Sequence, residues 1–503
     1  MAGSVLVLTP VLFRGLGVAA FGTWSIVFTF GTVFSLGELG FARGITKVTA
    51  ELAGTRRDDE LARTFGIAVS LLTGLGALSA ASVGFAASGL AASGYESAFR
   101  WGMVVLAAER LAYFPLSACG ATLAGYQRYD LLNAAWMASN LGFAAAGVAV
   151  VASGGGVLAV VVAWAATHLA GGILQRVFLR RVNRTLRLTP RLGDRSARRT
   201  LLGFSSFVLF AESMTFIGQR MDTLVIAAIR NAAAAGPYAA VLKLQTGVQS
   251  LTLPFVYLLM PMTSDLWARG EAAAVRARVG LATRVSCQLT LPVAVALALF
   301  AGDIVHLWLG GGVPRTTSEI LVVLMAAQIP ALTAAPAEQV LVGIGRVRAI
   351  GLLALVEGFA NLGVSIVLVQ RYGAIGAAIG TLSTTAVLAP VKLPLVARAL
   401  EYPLHRLMRD SVVPAVVASL PALGLMAAAR LLLPAGTPRL CIGLAIGIAA
   451  ALAAGIAAAG PARIRARLSE IRRPRGREAG HEGVVKPPNY TPTLADTSLE
   501  RAT

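Results

Sequence analysis

Glu38, Glu109, Arg110, Glu212, Arg220, Asp222, Lys243, Glu338, Glu357 and Lys392 lie within stretches that are otherwise apolar. A charge at the centre of a bilayer costs at least ~2.5–3.5 kcal/mol, so each of these groups should face a cavity or a partner. Lys243 has two readings. It is either a snorkelling lysine near an interface or a cation lining a central cavity, where it would hold a diphosphate through charge-assisted hydrogen bonds. Arg220 and Asp222 are two residues apart, so they point to different faces of one helix and need partners elsewhere. They read either as inter-helix ion pairs or as a cavity wall presenting Arg220 to phosphate oxygens. Glu212, on the same helix, and Asp222 are candidate proton or sodium sites. Glu38, followed by Arg43, reads as a capping or pairing residue at an inner gate. Glu109 and Arg110 are adjacent, so they too are expected to point apart. Glu357 and Asn361 share a helix face at i and i+4.

Signatures of catalysis are absent. The sequence has no HExxH, GxSxG or Walker A pattern and no Cys/His cluster. His168, His306, His405 and His481 are scattered, and no cofactor is implied. Cys119, Cys287 and Cys441 fall in apolar stretches without CxxC spacing, which reads as core packing rather than metal binding or disulfides. With no ATP-binding motif, energy for any transport would come from a gradient, the membrane potential or the cargo itself.

These residues need a lipid-embedded scaffold to hold them. Hydrophobic residues make up 56% of the chain and charged residues 14%, too few to cover the cores of a soluble protein of 503 residues. Mean hydropathy is +0.73, and uncharged stretches near the ~20 residues needed for a span recur throughout. In lipid the backbone must satisfy itself, so repeated spans of this length are helices. The pattern predicts fourteen spans, near 3–13, 19–41, 65–87, 101–124, 131–152, 156–178, 201–229, 235–262, 284–309, 318–342, 349–370, 374–397, 411–433 and 440–459. The first is short. Either that helix is short or its true start lies upstream.

Arginine sets the orientation. With the N-terminus inside, the inner loops hold 23 lysines and arginines, against seven in the outer loops: Arg14, Arg100, Arg230, Arg315, Arg371, Arg430 and Arg439. The bias predicts a multi-pass protein of the cytoplasmic membrane with both termini inside. Net charge is +20; because the excess lies between spans and mostly on one side, it reads as topology, and no nucleic-acid partner is expected.

An internal repeat organises the spans. Leu123, Gly125 and Arg128 match Leu341, Gly343 and Arg346 in spacing; Asn140 and Gly142 follow the first set, Asn361 and Gly363 the second. A weaker pairing sets Arg14 and Phe21 beside Arg230 and Tyr238. Six spans return the chain to its starting side, so the halves should be parallel repeats about an axis along the membrane normal. The expected layout is an N-lobe over 1–180, a basic cytoplasmic loop over 181–200, a C-lobe over 201–400, two further spans over 401–460 and a disordered cytoplasmic tail over 461–503.

A family resemblance rests on particular residues. Thr9, Pro10, Arg14, Gly17, Phe21, Gly22 and Trp24, then Leu36, Glu38, Gly40 and Arg43, resemble the Wzx-type polysaccharide flippases of the multidrug/oligosaccharidyl-lipid/polysaccharide exporter superfamily. Members typically read "P-L-L-x-R-x-L-G-x-x-x-Y-G-x-W" and then "L-x-D-L-G-L". In the second half Asp222, Gly236, Tyr238, Lys243 and Leu244 are similar to the family's "D-x-x-x-I" and "G-x-Y-x-x-A-x-K/R-L", and Gly373, Gly376 and Gly380 resemble its entry to the twelfth span. The resemblance implies a V-shaped, MATE-like pair of six-helix lobes plus two C-terminal helices, a central cationic cavity and alternating access. It implies an undecaprenyl-diphosphate-linked oligosaccharide as cargo, membrane lipids as surroundings, and a polysaccharide polymerase or glycosyltransferases as partners. Lys243 matches the family's basic residue, and Glu38 stands where the family often has Asp.

Other classes stay open at this stage. A cation-coupled drug antiporter of the same superfamily would need an acidic cavity, for which Glu212 and Asp222 are the candidates. A non-transporting scaffold for glycan enzymes would use the arginine-rich loop over 176–199 and the basic tail. A major-facilitator transporter fits less well, because the loop from Glu51 to Glu60 lacks that family's G-x-x-x-D-R-x-G-R-R pattern.

Overall fold

The computed structural model describes residues 2–91, 97–191 and 221–459, all helix, turn or coil. Arg220, Glu212 and the tail over 461–503 lie outside the described residues. The first half contains α1 (Ala2–Leu16), α2 (Val18–Phe34), α3 (Leu36–Gly54), α4 (Asp58–Ala91), α5 (Ser97–Gly125), α6 (Tyr129–Ala152) and α7 (Val157–Val182). The second contains α8 (Asp222–Ile229), α9 (Ala232–Tyr257), α10 (Leu259–Ala268), α11 (Ala272–Leu299), α12 (Ala301–Leu309), α13 (Thr316–Gly343), α14 (Val347–Tyr372), α15 (Ala374–Leu388) and α16 (Lys392–Ala399). α17 (Leu404–Leu407), a π turn, α18 (Val413–Leu432) and α19 (Thr437–Ala459) complete the chain. Nine described helices are long and apolar enough to cross a membrane, and Leu6–Leu16, Val18–Phe34 and Thr437–Gly447 are shorter apolar helices.

Several helices outrun their apolar stretches, because water-exposed polar turns extend them. α4 begins at Asp58, ahead of the apolar run from 65, with Asp58, Asp59 and Glu60 in its first turn, where carboxylates complement the positive helix end. One predicted span is two helices: α2 stops at Phe34 and α3 begins at Leu36, with Ser35 between. The predicted span over 284–309 is likewise interrupted at Phe300, between α11 and α12.

Three apolar clusters define the architecture. One joins both halves: Leu12, Phe21 and Trp24 pack with Tyr238, Val241, Ile304 and Leu309. The other two stay within a half. Phe41, Leu61, Phe114 and Leu179 form one; Leu259, Val279, Leu341 and Leu407 form the other. Among the described residues the halves meet through α1 and α2 against α8, α9 and α12. α18 packs on α11, and Gly443 of α19 lies over the Phe300 ring.

The repeat is visible as glycine contacts. A Cβ on Gly125 would lie 2.5 Å from Thr49 Cβ and 2.8 Å from Thr46 O, so α5 ends directly against α3. A Cβ on Gly343 would lie 2.3 Å from Thr263 Oγ1 and 2.8 Å from Met260 O, so α13 ends against α10 in the same way. Where the halves cross, Gly22 and Gly236 face each other. A Cβ on Gly22 would lie 1.8 Å from Ala232 O, and one on Gly236 would lie 2.7 Å from Val18 O.

Candidate functional site

A cavity of about 350 Å³ lies between the halves, within the size range of small-molecule sites. Its walls come mainly from the first half. α2 supplies Trp24, Phe28 and Thr32, α3 Glu38, α5 Arg110 and Tyr113, α6 Trp136, Ser139 and Asn140, and α7 Trp164, Thr167 and His168. Lys243, from α9, is the contribution of the second half. Its Nζ lies 5.0 Å from the Phe28 ring centroid, a cation–π contact that holds the ammonium at the cavity rather than in lipid.

The charged core of the site departs from the expectation that Glu109 and Arg110 point apart. Arg110 Nε donates to Glu109 Oε2 at 2.5 Å. Adjacent residues diverge at Cβ, yet an arginine side chain is long enough to fold back. Burial compels it, because both side chains are 1% exposed and unpaired buried charges are costly. Arg110 Nη1 also donates to Ser35 Oγ, at the α2–α3 break. The other Glu109 oxygen, Oε1, lies 2.6 Å from His168 Nδ1. The imidazole stacks on Tyr113, with centroids 3.9 Å apart, and on Trp164 at 5.4 Å.

Of the charged residues singled out from sequence, Lys243, Glu38 and Arg110 share this cavity. Arg43 is exposed on α3 and is not among the walls. Asp222 is not brought to Lys243. It is buried in the second half, where Oδ2 accepts from Tyr238 Oη and Thr381 Oγ1, both at 2.8 Å. Asn361 Nδ2 donates to Thr381 and Thr384 at 3.3 Å. Asp222 Oδ1 has no hydrogen-bond partner among the described residues. Asp222, Tyr238 and Thr381 line a smaller cavity of about 100 Å³ with Gln245, Gln328 and Glu357. Glu357 borders a further cavity with Glu338 and Lys392, where Lys392 Nζ lies 2.7 Å from Glu338 and 3.4 Å from Glu357. Cys119 and Cys287 are buried as expected of core residues, but Cys441 is exposed, because α19 presents that face outward. Among the described residues no cluster of His, Cys, Asp or Glu could hold a metal ion.

Sequence reading passed over His168, Ser139, Asn140 and Thr167. A signal was present. Glu109 and Tyr113 are i and i+4 on α5, as Trp164 and His168 are on α7, so each pair shares a face. Two such polar–aromatic faces on neighbouring helices mark a common wall.

Comparison with known proteins places the fold. An inward-facing multidrug resistance MATE family transporter of the MOP superfamily aligns with TM-score 0.71 and 14% identity, over 80% of this chain and 95% of that one. The lipid II flippase MurJ, in its inward closed conformation, aligns with TM-score 0.69 and 14% identity, over 94% of this chain and 98% of that one. An outward-facing MATE family transporter aligns with TM-score 0.51 and 14% identity, over 80% and 92%. No curated protein matches the sequence. Residues 11–312 match the family described as "Polysaccharide biosynthesis protein", a stretch that contains Arg14, Gly22, Glu38, Gly236 and Lys243. The chain belongs to that polysaccharide biosynthesis family, and it carries the two-lobed helical fold shared by MATE transporters and MurJ.

Proposed function

We propose that this protein flips a polyprenyl-diphosphate-linked oligosaccharide from the inner to the outer leaflet of the cytoplasmic membrane by alternating access, with both termini inside. The observation that carries the reading is Lys243. It is the second half's cation in a cavity otherwise walled by the first half, so an anion held there contacts both halves at once. A diphosphate offers acceptor oxygens for charge-assisted hydrogen bonds. The neighbouring Trp136, Asn140, Ser139 and Thr167 offer an aromatic face and polar groups suited to a sugar. The family's description, polysaccharide biosynthesis, fits this cargo. The lipid II flippase shares the fold, which fits flipping as the mode of action. Of the two coupling-ion candidates, Asp222 is the one within the described residues. Its Oδ1, without a hydrogen-bond partner among the described residues and beside Tyr238 and Thr381, suits it to a proton or a small cation.

Leaflet-specific labelling of the lipid-linked glycan tests the reading. Loss of the protein should trap the glycan in the inner leaflet. Lys243→Ala should lower translocation about 10–100-fold, the cost of losing one or two charge-assisted hydrogen bonds, with the protein still present in the membrane at its normal amount. Normal translocation without the protein would end the proposal. A coupled drug antiporter would instead show itself as drug hypersensitivity of a deletion strain with normal glycan flipping.

A further inference from the structure

The internal repeat extends to the cavities. Seven and eleven residues past Phe21 stand Phe28 and Thr32, and at the same steps past Tyr238 stand Gln245 and Gln249. Thirteen residues before Leu123 and Leu341 stand Arg110 and Gln328; four before Asn140 and Asn361 stand Trp136 and Glu357. The first member of each pair lines the cavity at Lys243. The second member lines one or both of two adjoining cavities in the other half, of about 100 and 170 Å³, which share Gln249, Ala331 and Glu357. These spaces are the counterpart of the first cavity, built on equivalent helices with different side chains. α9 stands between the two: Leu242, Gln245 and Gln249 share a face on the second half's cavities, and the neighbouring Lys243 borders the first half's cavity. A narrow space of about 30 Å³, bordered by both Leu242 and Lys243, lies between them.

Where the first half uses aromatic rings, the counterpart uses amides. Gln245 and Gln328 are buried, and Oε1 of each has no hydrogen-bond partner among the described residues. A buried polar group without a partner is costly, so two in one cavity call for an occupant that supplies donors. Gln249 and Gln339 add further amides at the walls. Glu357, held 3.4 Å from Lys392 Nζ, presents a carboxylate to both spaces. Amides carry N–H donors as well as carbonyl acceptors. A cation uses the acceptors alone, whereas a sugar, whose hydroxyls both donate and accept, uses the whole set. Asp222 borders the smaller space and remains the candidate for the coupling ion.

We infer that the second half's cavity is a glycan subsite: it takes an uncharged sugar of the cargo, beyond the one next to the diphosphate, on Gln245, Gln328 and Glu357. The inference rests on the proposed flipping of a lipid-linked glycan. A glycan long enough to reach both cavities touches both halves through its sugars, and one trimmed to its first sugar does not.

The test uses the full chain in lipid nanodiscs and two probes: the lipid-linked glycan extracted from cells that lack the protein, and the same material trimmed to its first sugar. The unmodified protein should bind the untrimmed probe about fivefold tighter or more, the worth of one or two hydrogen bonds. Gln328→Leu should bring the ratio of the two affinities to about one. Gln245→Leu, on another helix, should do likewise and covers the case of a variant that does not fold. Equal affinities of the unmodified protein for the two probes, or a ratio that both variants preserve, would overturn this inference and leave the flipping proposal standing. Variants that preserve the ratio but lose binding of sodium ion would make the cavity a cation site and overturn it too. Binding of neither probe would overturn the flipping proposal, and this inference with it.

Discussion

The junction between the halves includes a hydrogen bond for which the sequence itself gives the reason. Pro10 lies inside α1 and has no N–H, so the carbonyl of Leu6, four residues earlier, loses its helical donor. Trp308 of α12, in the other half, supplies one: its Nε1 donates to Leu6 O at 3.1 Å. Trp308→Phe deletes this bond and keeps most of the apolar bulk. The net loss is about 0.5–1.5 kcal/mol for the bond, rising towards about 2 kcal/mol because a partly buried carbonyl is left unsatisfied. The contact bridges the two halves, so parting them at this end breaks it, and the ratio of closed to open should fall about 2–30-fold. Spin labels at Ser153 and Gly312, both exposed in loops, would report the change as a growing long-distance population in the full protein. The control is Pro10→Ala, which returns a backbone donor to Leu6. In that background Trp308→Phe should cost clearly less, and a double-mutant cycle measures the difference. Additive effects, or an unchanged distance distribution in a folded Trp308→Phe protein, would refute the reasoning.

Arg14→Ala should open the same end further, because its guanidinium donates to Leu307 O at the C-terminal turn of α12; the same spin-label pair reads it. Gly22→Ala places a methyl on Ala232 O and should prevent the close crossing of α2 and α9, shifting the protein towards a form open at this end at a cost of about 1–3 kcal/mol to the closed form. Lys392→Met leaves Glu338 and Glu357 without their shared cation. Partial exposure of both carboxylates limits the loss to about 1–2 kcal/mol, seen as a lower unfolding temperature that Glu338→Gln with Glu357→Gln in the same protein restores. Asp222→Asn should abolish the dependence of transport on the coupling ion with normal protein levels, measured by uptake into vesicles under imposed gradients.

Much of the scaffold could be read from the chain because lipid punishes irregularity. Helical spans followed from length and apolarity, and the repeated Gly125 and Gly343 marked places where helices touch through backbone. Helix ends were less legible, since turns such as Asp58 to Glu60 extend a helix into water without an apolar signal. The break at Ser35 was missed because both sides of it are apolar. At the site, Lys243 was legible as a costly charge in an apolar helix. Its cavity mates were not, because Ser139, Asn140 and Thr167 are cheap to bury and leave no such mark. Glu109 and Arg110 were misread on helix geometry alone. The angle between neighbouring Cβ atoms was right, and the reach of the arginine side chain decided the outcome.

The two halves share a backbone plan and differ in what they bury. Equivalent glycines seat α5 on α3 and α13 on α10, and Gly22 meets Gly236 where the halves cross. Within that common frame the first half holds its charges as Glu109, Arg110 and His168 behind an aromatic wall. The second holds Asp222 among hydroxyls and Lys392 between two glutamates. Buried ionic groups stabilise a fold less than apolar residues of similar volume would, so neither cluster is explained by stability. Under the proposed function their difference is one of role: a cargo wall on one side and an acidic, ion-accepting wall on the other. Lys243 is the residue that crosses this division, an arm of the acidic half placed in the cavity of the other. On that proposed function, a cargo anion held by Lys243 links the two halves, and the contacts of Trp308 and Arg14 across their junction govern whether the halves can part at that end.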